Sequence, residues 1–400
     1  MLIFHRGNIR TTFLGTKLRD HFRVKIGPFS AGSPIFPFAD FIFTLPNAIF
    51  VQPGKVSWSL DLLLTPKKDA MLRWIDLQIR PNDRLNRLQQ LLDGRTPFPA
   101  AITNVLLQRG LEEMEDIREF MRPSRDALHD PWDLHQMDLA VNRVEQALEK
   151  GQKIMLYGDY DVDGTTSVAL LKSFLQDWGV DVDYYIPDRY KEGYGMSFEG
   201  MQHAIREKYS LVIALDCGTK AVDKVRYARM AGVDVIIVDH HRPGAELPAA
   251  VAMINPLQDD CNYPCQYLSA CGLTLKFAEA LNELFREAFP ERLPSDLYDP
   301  VEVYCDLATL SIACDIVPIL DENRIIAFHG LQKLKQNPLP GIASLMALSE
   351  NSRKWNISDL VFFLGPRINS AGRLRTARPS VQLLLGAPGE RDEFASALHA

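Results

Sequence analysis

The sequence predicts an α/β fold with a parallel sheet, preceded by a helical segment and followed by the start of a second domain. Three observations carry this prediction. From Lys153 onward, short β-branched or aromatic runs alternate with amphipathic helical stretches. Each run has four or five residues, and every run except 182–186, which contains Asp183, is apolar throughout. Buried strands joined by crossover helices are typical of a parallel sheet covered on both faces.

The elements are predicted in strict alternation along the chain. The predicted strands are 154–157, 182–186, 211–215, 235–238 and 251–254, and the predicted helices are 165–178, 197–208 and 220–231. Before the sheet, apolar residues at three- and four-residue spacing, as in Leu85, Leu88 and Leu92, predict helices. We therefore divide the chain into an atypical extension, a helical lead-in, the sheet domain, and a helical connector with the start of an incomplete second domain. The four parts are residues 1–70, 71–150, 151–320 and 321–400.

Composition excludes several classes of protein. A chain of 400 residues that is 46% hydrophobic and 24% charged suits two or three globular domains. Its longest apolar stretch, residues 33–51, is interrupted by prolines and Asp40, so we expect no membrane span. Six cysteines without a Cys-x-x-Cys pair favour neither a disulfide scaffold nor a zinc site. We expect reduced thiols in a cytoplasmic protein.

The first 70 residues differ in composition from the rest of the chain. They carry nine Lys and Arg against four Asp, a net charge of +5, which leaves −12 for the remainder of a chain with formal charge −7. Gly and Pro interrupt every apolar run there. A cleavable transit peptide and a small β domain both fit this composition. We favour an upstream extension from a start codon assigned too early, because ordinary composition begins at Met71.

Carboxylates and imidazoles follow three of the predicted strands. They are Asp159, Asp161 and Asp163 after the first strand, Asp216 after the third, and Asp239, His240 and His241 after the fourth. Ligands of parallel sheets bind beyond the carboxyl ends of the strands, so we expect these side chains at one edge. Singly, such an Asp is ordinarily a helix N-cap and such a His a structural residue. Five acids and two imidazoles together favour a site for a divalent cation such as Mn²⁺ or Mg²⁺.

A sixth acid, Asp315, is expected to join this group. It lies at the end of the apolar helical stretch 307–314, just before an apolar turn that contains Pro318. Taken alone, Asp315 would be interpreted as a turn residue.

Four motifs together resemble the DHH phosphoesterase superfamily. They are 157–164 (YGDYDVDG), 216–218 (DCG), 239–241 (DHH) and 313–318 (ACDIVP). Within this superfamily the chain is most similar to the bacterial 5′-to-3′ exonucleases specific for single-stranded DNA. That similarity begins near residue 75 and includes 187–195 (PDRYKEGYG), 254–256 (INP) and 365–373 (GPRINSAGR).

The resemblance implies roles for the residues at the sheet edge. It implies two Mn²⁺ or Mg²⁺ ions bridged by Asp216, one completed by Asp163, His240 and Asp315 and the other by Asp159 and Asp161. His241 would face the scissile phosphate, so Asp216 and His241 are the predicted catalytic residues. Two such ions can activate a water molecule and stabilise both the attacking and the leaving oxygen. The spacing leaves open which of Asp159 and Asp161 contacts metal directly.

Substrate contacts are expected in two segments. Residues 352–379 contain six Lys and Arg and one acid beside aromatic residues, as in single-strand binding surfaces. A solvated charged loop is the alternative interpretation of that segment. With the family resemblance, the predicted substrate-binding residues are Arg189, Tyr194, Arg367, Asn369 and Arg373. The resemblance also implies single-stranded DNA as the partner of a monomeric enzyme, together with a single-strand-binding protein and a helicase.

One departure from the family pattern and two alternative functions stand beside this prediction. Exonucleases of this branch continue with a Gly-Gly-His segment and an oligonucleotide-binding barrel, so we expect a truncated form with an incomplete strand-holding surface. One alternative is a DHH enzyme for small substrates, either a manganese pyrophosphatase or a phosphodiesterase for short oligonucleotides or cyclic dinucleotides. Such enzymes generally carry His four residues before the first Asp of an Asp-x-Asp pair, where this chain has Tyr157 before Asp161. The other alternative is a non-enzymatic replication scaffold, which the complete ligand set disfavours.

Overall fold

The structure, a computed structural model, covers most of the chain after residue 98. It describes residues 2–5, 8–11, 83–92, 99–348, 355–374, 377–386 and 391, with the backbone alone at 2–5, 8–11, 84, 91–92, 100 and 371–374. The chain divides into two units, residues 1–121 and 122–400. The boundaries predicted near residues 70, 150 and 320 stay predictions.

The first unit contains a short hairpin and three helices. Strands β1 (Leu2–His5) and β2 (Asn8–Thr11) pair in antiparallel register. The helices are α1 (Asp83–Leu92), α2 (Ala100–Gln108) and α3 (Met114–Met121). Leu88, Leu106, Leu107 and Ile117 form a small core among them. The helices predicted for this part of the lead-in are therefore confirmed, whereas the interpretation of residues 12–70 lies outside the described residues.

The second unit contains the parallel sheet and the helices that cover it. Its strands are β3 (Ile154–Gly158), β4 (Asp183–Tyr185), β5 (Leu211–Leu215), β6 (Asp234–Val238) and β7 (Ala252–Ile254). Helices α4 to α8 are Met137–Glu149, Val162–Asp177, Phe198–Arg206, Val222–Met230 and Ala270–Ala288. Helices α9 to α14 are Pro300–Cys314, Asp321–Gln336, Pro340–Ala347, Ile357–Asp359, Gly365–Leu374 and Arg378–Leu385, with a π-helical turn at Leu360–Leu364.

The order of the strands places a crevice at one position in the sheet. The five strands are parallel in the order β4-β3-β5-β6-β7. The chain places β4 on one side of β3 and then crosses back to place β5, β6 and β7 on the other side. Adjacent helices then cover opposite faces, and a crevice opens where the direction changes. Gly158 of β3 pairs with Leu215 of β5. The residues that follow these two, Asp159 and Asp216, therefore meet at the crevice.

Both faces of the sheet are buried at strands β3, β5, β6 and β7, as their apolar runs predicted, whereas the edge strand β4 is partly exposed. Side chains of alternate positions enter two different cores because successive residues of a strand point to opposite faces. Leu156, Ile213 and Ile236 pack in the larger core, which also includes α5, α8 and α9. Tyr157 and Ala214 pack in the smaller core with α6 and α7.

Two predicted boundaries can be compared with side-chain caps in the structure. Helix α5 begins at Val162, three residues before the predicted start, because the Asp161 side chain accepts a hydrogen bond from the Gly164 amide and caps the helix. Helix α9 ends at Cys314 with Asp315 as its C-cap, as predicted. Among the described residues, no helix is long and apolar enough to cross a membrane.

Candidate metal centre

The loop after β3 brings three carboxylates into the crevice, each held differently. Asp159 is fully buried, and its Oδ1 accepts a hydrogen bond of 3.4 Å from the Gly195 amide. Asp161 caps α5. Asp163 accepts bonds of 2.8 Å from the amides of Ala270 and Cys271 at the start of α8. The partial positive charge of a helix N-terminus stabilises such a carboxylate, so Asp163 also fixes the position of α8.

Gly164 allows this loop to fold against its own helix. A Cβ at Gly164 would lie 2.5 Å from the carbonyl oxygen of Asp159, and backbone cannot move as cheaply as a side chain. We expect Gly164→Ala to lower the free energy of unfolding by about 1–3 kcal/mol, the usual cost of overpacking, and to weaken Mn²⁺ binding. Gly244→Ala is the matched control, because its Cβ would meet nothing closer than 3.6 Å. Thermal denaturation and Mn²⁺ titration of both variants check this; equal stability of the two would contradict it.

Asp216 lies at the centre of the crevice with an unusual backbone conformation. Its φ of 62° is in the left-handed region, which Asp tolerates better than most residues. Its amide donates a 2.9 Å hydrogen bond to the Val238 carbonyl of β6, which holds this conformation at the end of β5. The side chain is 2% exposed.

His240 lies among three carboxylates that come from distant parts of the chain. Its Nε2 is 3.6 Å from Asp163 Oδ2, 3.5 Å from Asp216 Oδ1 and 3.6 Å from Asp315 Oδ2. One imidazole nitrogen therefore faces the ends of β5 and α9 and the start of α5 at once. Asp315, the acid predicted to join from outside the sheet, is in this group.

The ligand atoms form three overlapping groups that are compact enough for a metal ion. Within each group the nitrogen and oxygen atoms lie within 4.8 Å of one another. The groups are Asp163, His240 and Asp315; Asp159, Asp161 and Asp216; and Asp216, His240 and His241. The first group contains the three residues that the family resemblance implied for one ion, without the bridging Asp216, and the second contains the residues implied for the other ion. Asp216 occurs in the second and third groups. The assignment of each residue to an ion stays a prediction.

The carboxylates lack the charge compensation that they need. Burial, followed by the charge of Asp161, raises the pKa of Asp159 to about 7. Burial and then Asp163 raise the pKa values of Asp161 and Asp216 above the usual range. Among the described residues, Asp159 Oδ2 and Asp216 Oδ1 are buried oxygens that accept no hydrogen bond. A divalent cation would provide both the missing charge and the missing partner, so this set of donors fits a metal.

His241 is held on both ring nitrogens. Its Nδ1 lies 2.7 Å from Asp239 Oδ1, and its Nε2 lies 2.8 Å from the Tyr194 hydroxyl. Burial alone would lower the pKa of His241, but the hydrogen bond and the charge of Asp239 raise it to about 9. Sequence reasoning gave Asp239 no role of its own, although its position two residues before His241 was visible in the motif.

A loop over the crevice is held by Tyr157 and Glu192, to which the sequence analysis gave no role in the site. The Tyr157 hydroxyl donates to the Gly195 carbonyl and accepts from the Ser197 amide. Glu192 accepts hydrogen bonds from the Tyr185 and Ser197 hydroxyls at 2.9 and 2.5 Å. These bonds place Tyr194 against His241. Tyr157, the residue four positions before Asp161, thus holds this loop through its hydroxyl.

The structure brings some predicted substrate-binding residues to the crevice. Arg189 lies 5.0 Å above the Tyr160 ring, which makes an edge contact with the exposed Tyr194. Arg367 lies on α13 and donates to the Phe363 carbonyl.

Helix α13 begins next to the metal-binding groups. A Cβ on its first residue, Gly365, would lie 2.6 Å from Cys314 Sγ, and Cys314 directly precedes Asp315. Asn369 is half-buried on the same helix. The side chain of Arg373 lies outside the described residues.

A match to a protein family covers most of the residues that form this site. Residues 153–312 match the family described as "DHH family, N-terminal domain". The chain contains a DHH domain. These residues include β3 to β7 and every predicted metal ligand except Asp315, which lies three residues beyond the match.

Proteins similar to this chain extend the likeness beyond the DHH domain. The chain is 36% identical over 329 residues to the single-stranded-DNA-specific exonuclease RecJ of Bacillus subtilis and 32% identical over 311 residues to that of Escherichia coli. The two alignments cover 82% and 76% of this chain but 39% and 52% of those proteins. The chain therefore spans about half the length, or less, of these relatives.

Solved structures similar to the DHH domain include manganese-bound ones. A crystal structure of RecJ with Mn²⁺ from Thermus thermophilus has a TM-score of 0.65 and 26% identity and covers 81% of this chain and 44% of that one. A crystal structure of exonuclease RecJ bound to manganese has a TM-score of 0.57 and 29% identity and covers 68% and 64%. The parallel-sheet fold predicted from the sequence is confirmed.

Proposed function

We propose that this protein is a metal-dependent exonuclease that hydrolyses phosphodiester bonds of single-stranded DNA from the 5′ end. One observation carries the proposal: Asp216 belongs to two of the three compact groups of ligand atoms, and its Oδ1 lies 3.5 Å from Nε2 of His240, which belongs to the third. This buried oxygen accepts no described hydrogen bond. The similarity to RecJ proteins along most of the chain supports the choice of substrate.

The residues of the site divide into holders of metal and a group that faces the substrate. One Mn²⁺ or Mg²⁺ would be held by Asp163, His240 and Asp315, and the other by Asp159 and Asp161. Asp216 would contact both ions. When bound, two such ions supply an activated water and stabilise charge on the attacking and leaving oxygens. His241 is left to donate a hydrogen bond to the phosphoryl group, because Asp239 already holds its Nδ1. No covalent intermediate with the protein is required.

The crevice also carries groups suited to a single strand. Arg189 provides positive charge for a phosphate, and the exposed ring of Tyr194 provides a surface on which a base can stack. Arg367 and Asn369, on the helix that begins beside Cys314, and Arg373 further along it are proposed as additional contacts with the strand.

A second candidate is a phosphodiesterase for short oligonucleotides or cyclic dinucleotides, which would use the same metal groups. The exposure of Tyr194 and Arg189 is compatible with it. A pyrophosphatase is disfavoured, since Tyr157 uses its hydroxyl to hold the Gly195 and Ser197 backbone and cannot replace a ligating imidazole.

Digestion of labelled DNA tests the proposed function. With Mn²⁺, we expect release of mononucleotides from single-stranded DNA that is blocked at its 3′ end, and no release when the 5′ end is tethered. Blunt duplex should be a poor substrate. Pyrophosphate and a cyclic dinucleotide are offered as competing substrates in the same assay.

Three outcomes would contradict the proposal. Equal cleavage of blunt duplex would remove the single-strand preference. Release from the 5′-tethered strand would reverse the polarity. Preferential turnover of the cyclic dinucleotide would establish the second candidate instead.

The proposed substrate implies a cellular setting. Single strands arise during DNA repair and recombination, where a helicase generates them and a single-strand-binding protein coats them, so we propose these as partners of a monomeric cytoplasmic enzyme. All six cysteines, which lie in the described part of the chain, are free thiols, as a reducing compartment would maintain them.

A further inference from the structure

Asp239 has the surroundings of a residue that orients another side chain. It is 1% exposed, and its Oδ1 accepts hydrogen bonds from the His240 amide at 2.8 Å, the His241 amide at 3.2 Å and His241 Nδ1 at 2.7 Å. Its Oδ2 accepts a 3.0 Å bond from the Thr219 amide. Both oxygens of Asp239 are therefore occupied by donors of the protein, in contrast to the buried oxygens of Asp159 and Asp216.

The backbone under Asp239 is held from a third strand. Asn255, which is fully buried after β7, donates from its side-chain amide to the His241 carbonyl at 2.8 Å and to the Thr219 hydroxyl at 3.0 Å. This clamp keeps His241 and Thr219 in fixed positions around the Asp239 carboxylate. Asp239 belongs to none of the compact groups of ligand atoms found among the described residues, whereas Asp163, whose oxygens also accept N–H bonds, does.

The contact with Asp239 decides which nitrogen of His241 faces the crevice. A carboxylate at Nδ1 requires a hydrogen on that nitrogen, so the ring turns Nε2 outward. In the structure Nε2 meets the Tyr194 hydroxyl at 2.8 Å. Tyr194 is exposed, and it lies between Gly193 and Gly195, whose φ values of 86° and 73° are left-handed.

We propose that Asp239 is a positioning residue that binds no metal and acts in catalysis through His241, whose outward Nε2 it aims at the substrate phosphoryl group. This inference deepens the proposed function and rests on it for its catalytic part. The geometric part, a hydrogen held between Asp239 and Nδ1 of His241, does not depend on any activity.

A double-mutant cycle tests the catalytic part. We expect Asp239→Asn to lower kcat about 10- to 100-fold, the usual cost of losing a partner that orients a functional histidine, with KM and Mn²⁺ affinity unchanged. In the His241→Ala background the same substitution should change kcat less than about twofold, because the group through which it acts is already absent. The proposal would be overturned if the double variant lost kcat by the product of the two single-variant factors. Loss of Mn²⁺ binding in Asp239→Asn would also overturn it.

Asp306→Asn is the matched control. Asp306 is equally buried and accepts hydrogen bonds from the amides of Leu307 and Leu339, but it lies in α9 away from the metal-binding groups. We expect this variant to lose thermal stability as Asp239→Asn does while retaining wild-type kcat. A kcat loss of similar size in both variants would show that the effect of Asp239→Asn is a general cost of damaging a buried carboxylate.

A spectroscopic measurement covers the case in which Asp239→Asn does not fold. In the full chain labelled with ¹⁵N-histidine, the wild-type protein should show a strongly downfield Nδ1 proton that disappears in His241→Ala. Absence of that signal from the wild-type protein would refute the geometric part. If wild-type protein shows the signal but digests no single-stranded DNA, the proposed function fails and the orientation of His241 by Asp239 stands.

Discussion

Asp216→Asn is expected to abolish phosphodiester hydrolysis, with a loss of at least about a thousand-fold, more than the removal of one transition-state donor costs. Asp216 belongs to the group with Asp159 and Asp161, and its Oδ1 lies 3.5 Å from Nε2 of His240 in the group with Asp163 and Asp315. Asn has one oxygen and no charge, so it cannot bridge two cations as a carboxylate does. The measurement is kcat of the purified variant on single-stranded DNA in saturating Mn²⁺.

The same substitution should not destabilise the metal-free protein. Burial and the neighbouring acids raise the pKa of Asp216 well above its usual range, which means that its charge is unfavourable where it lies. Asn keeps the size of the side chain and, like Asp, tolerates the left-handed backbone at φ 62°. We expect an unchanged or higher Tm without metal.

The control for Asp216→Asn is Asp223→Asn on the exposed surface of α7. Asp223 has a side chain that is 71% exposed, and its removal should leave hydrolysis intact. Retained turnover in a folded Asp216→Asn variant would show that the two groups do not share a bridging carboxylate.

His241→Ala is expected to lower the rate about 100- to 1000-fold while Mn²⁺ binding is retained, as for the loss of one preorganised donor. Both ring nitrogens of His241 are already engaged, by Asp239 at 2.7 Å and Tyr194 at 2.8 Å. Displacing Tyr194 leaves Nε2 available to a phosphoryl oxygen, whereas metal ligation through Nδ1 would break the bond to Asp239.

His240→Ala is the comparison that separates the two imidazoles. Nε2 of His240 faces three carboxylates at 3.5–3.6 Å, so we expect its removal to weaken Mn²⁺ binding directly. Calorimetric Mn²⁺ titration of both variants checks the division of roles. The reverse pattern, with metal lost in His241→Ala and kept in His240→Ala, would refute it.

The sequence alone determined the sheet and the edge at which the site lies. Strand β5 has the predicted bounds, and the other four strands begin or end within one residue of theirs, because continuous apolar runs of this length are stable only when buried on both faces. The positions of Asp159, Asp216 and His240 followed from the same pattern, since parallel strands present their carboxyl ends at one edge. Local periodicity and the direction of the chain are sufficient for these inferences.

Only the tertiary structure decided what each side chain contacts. Asp163 binds the start of α8, 107 residues further along the chain, and Asp239 gives its oxygens to Thr219 and His241 instead of the crevice. Arg367 bonds to the Phe363 carbonyl, just before its own helix, in this structure. The sequence places an acid near the site but does not say whether N–H groups from other elements reach its oxygens. Those donors come from strand order and helix docking, which also place Asp163 beside His240 and Asp315 and place Asp239 beside Nδ1 of His241.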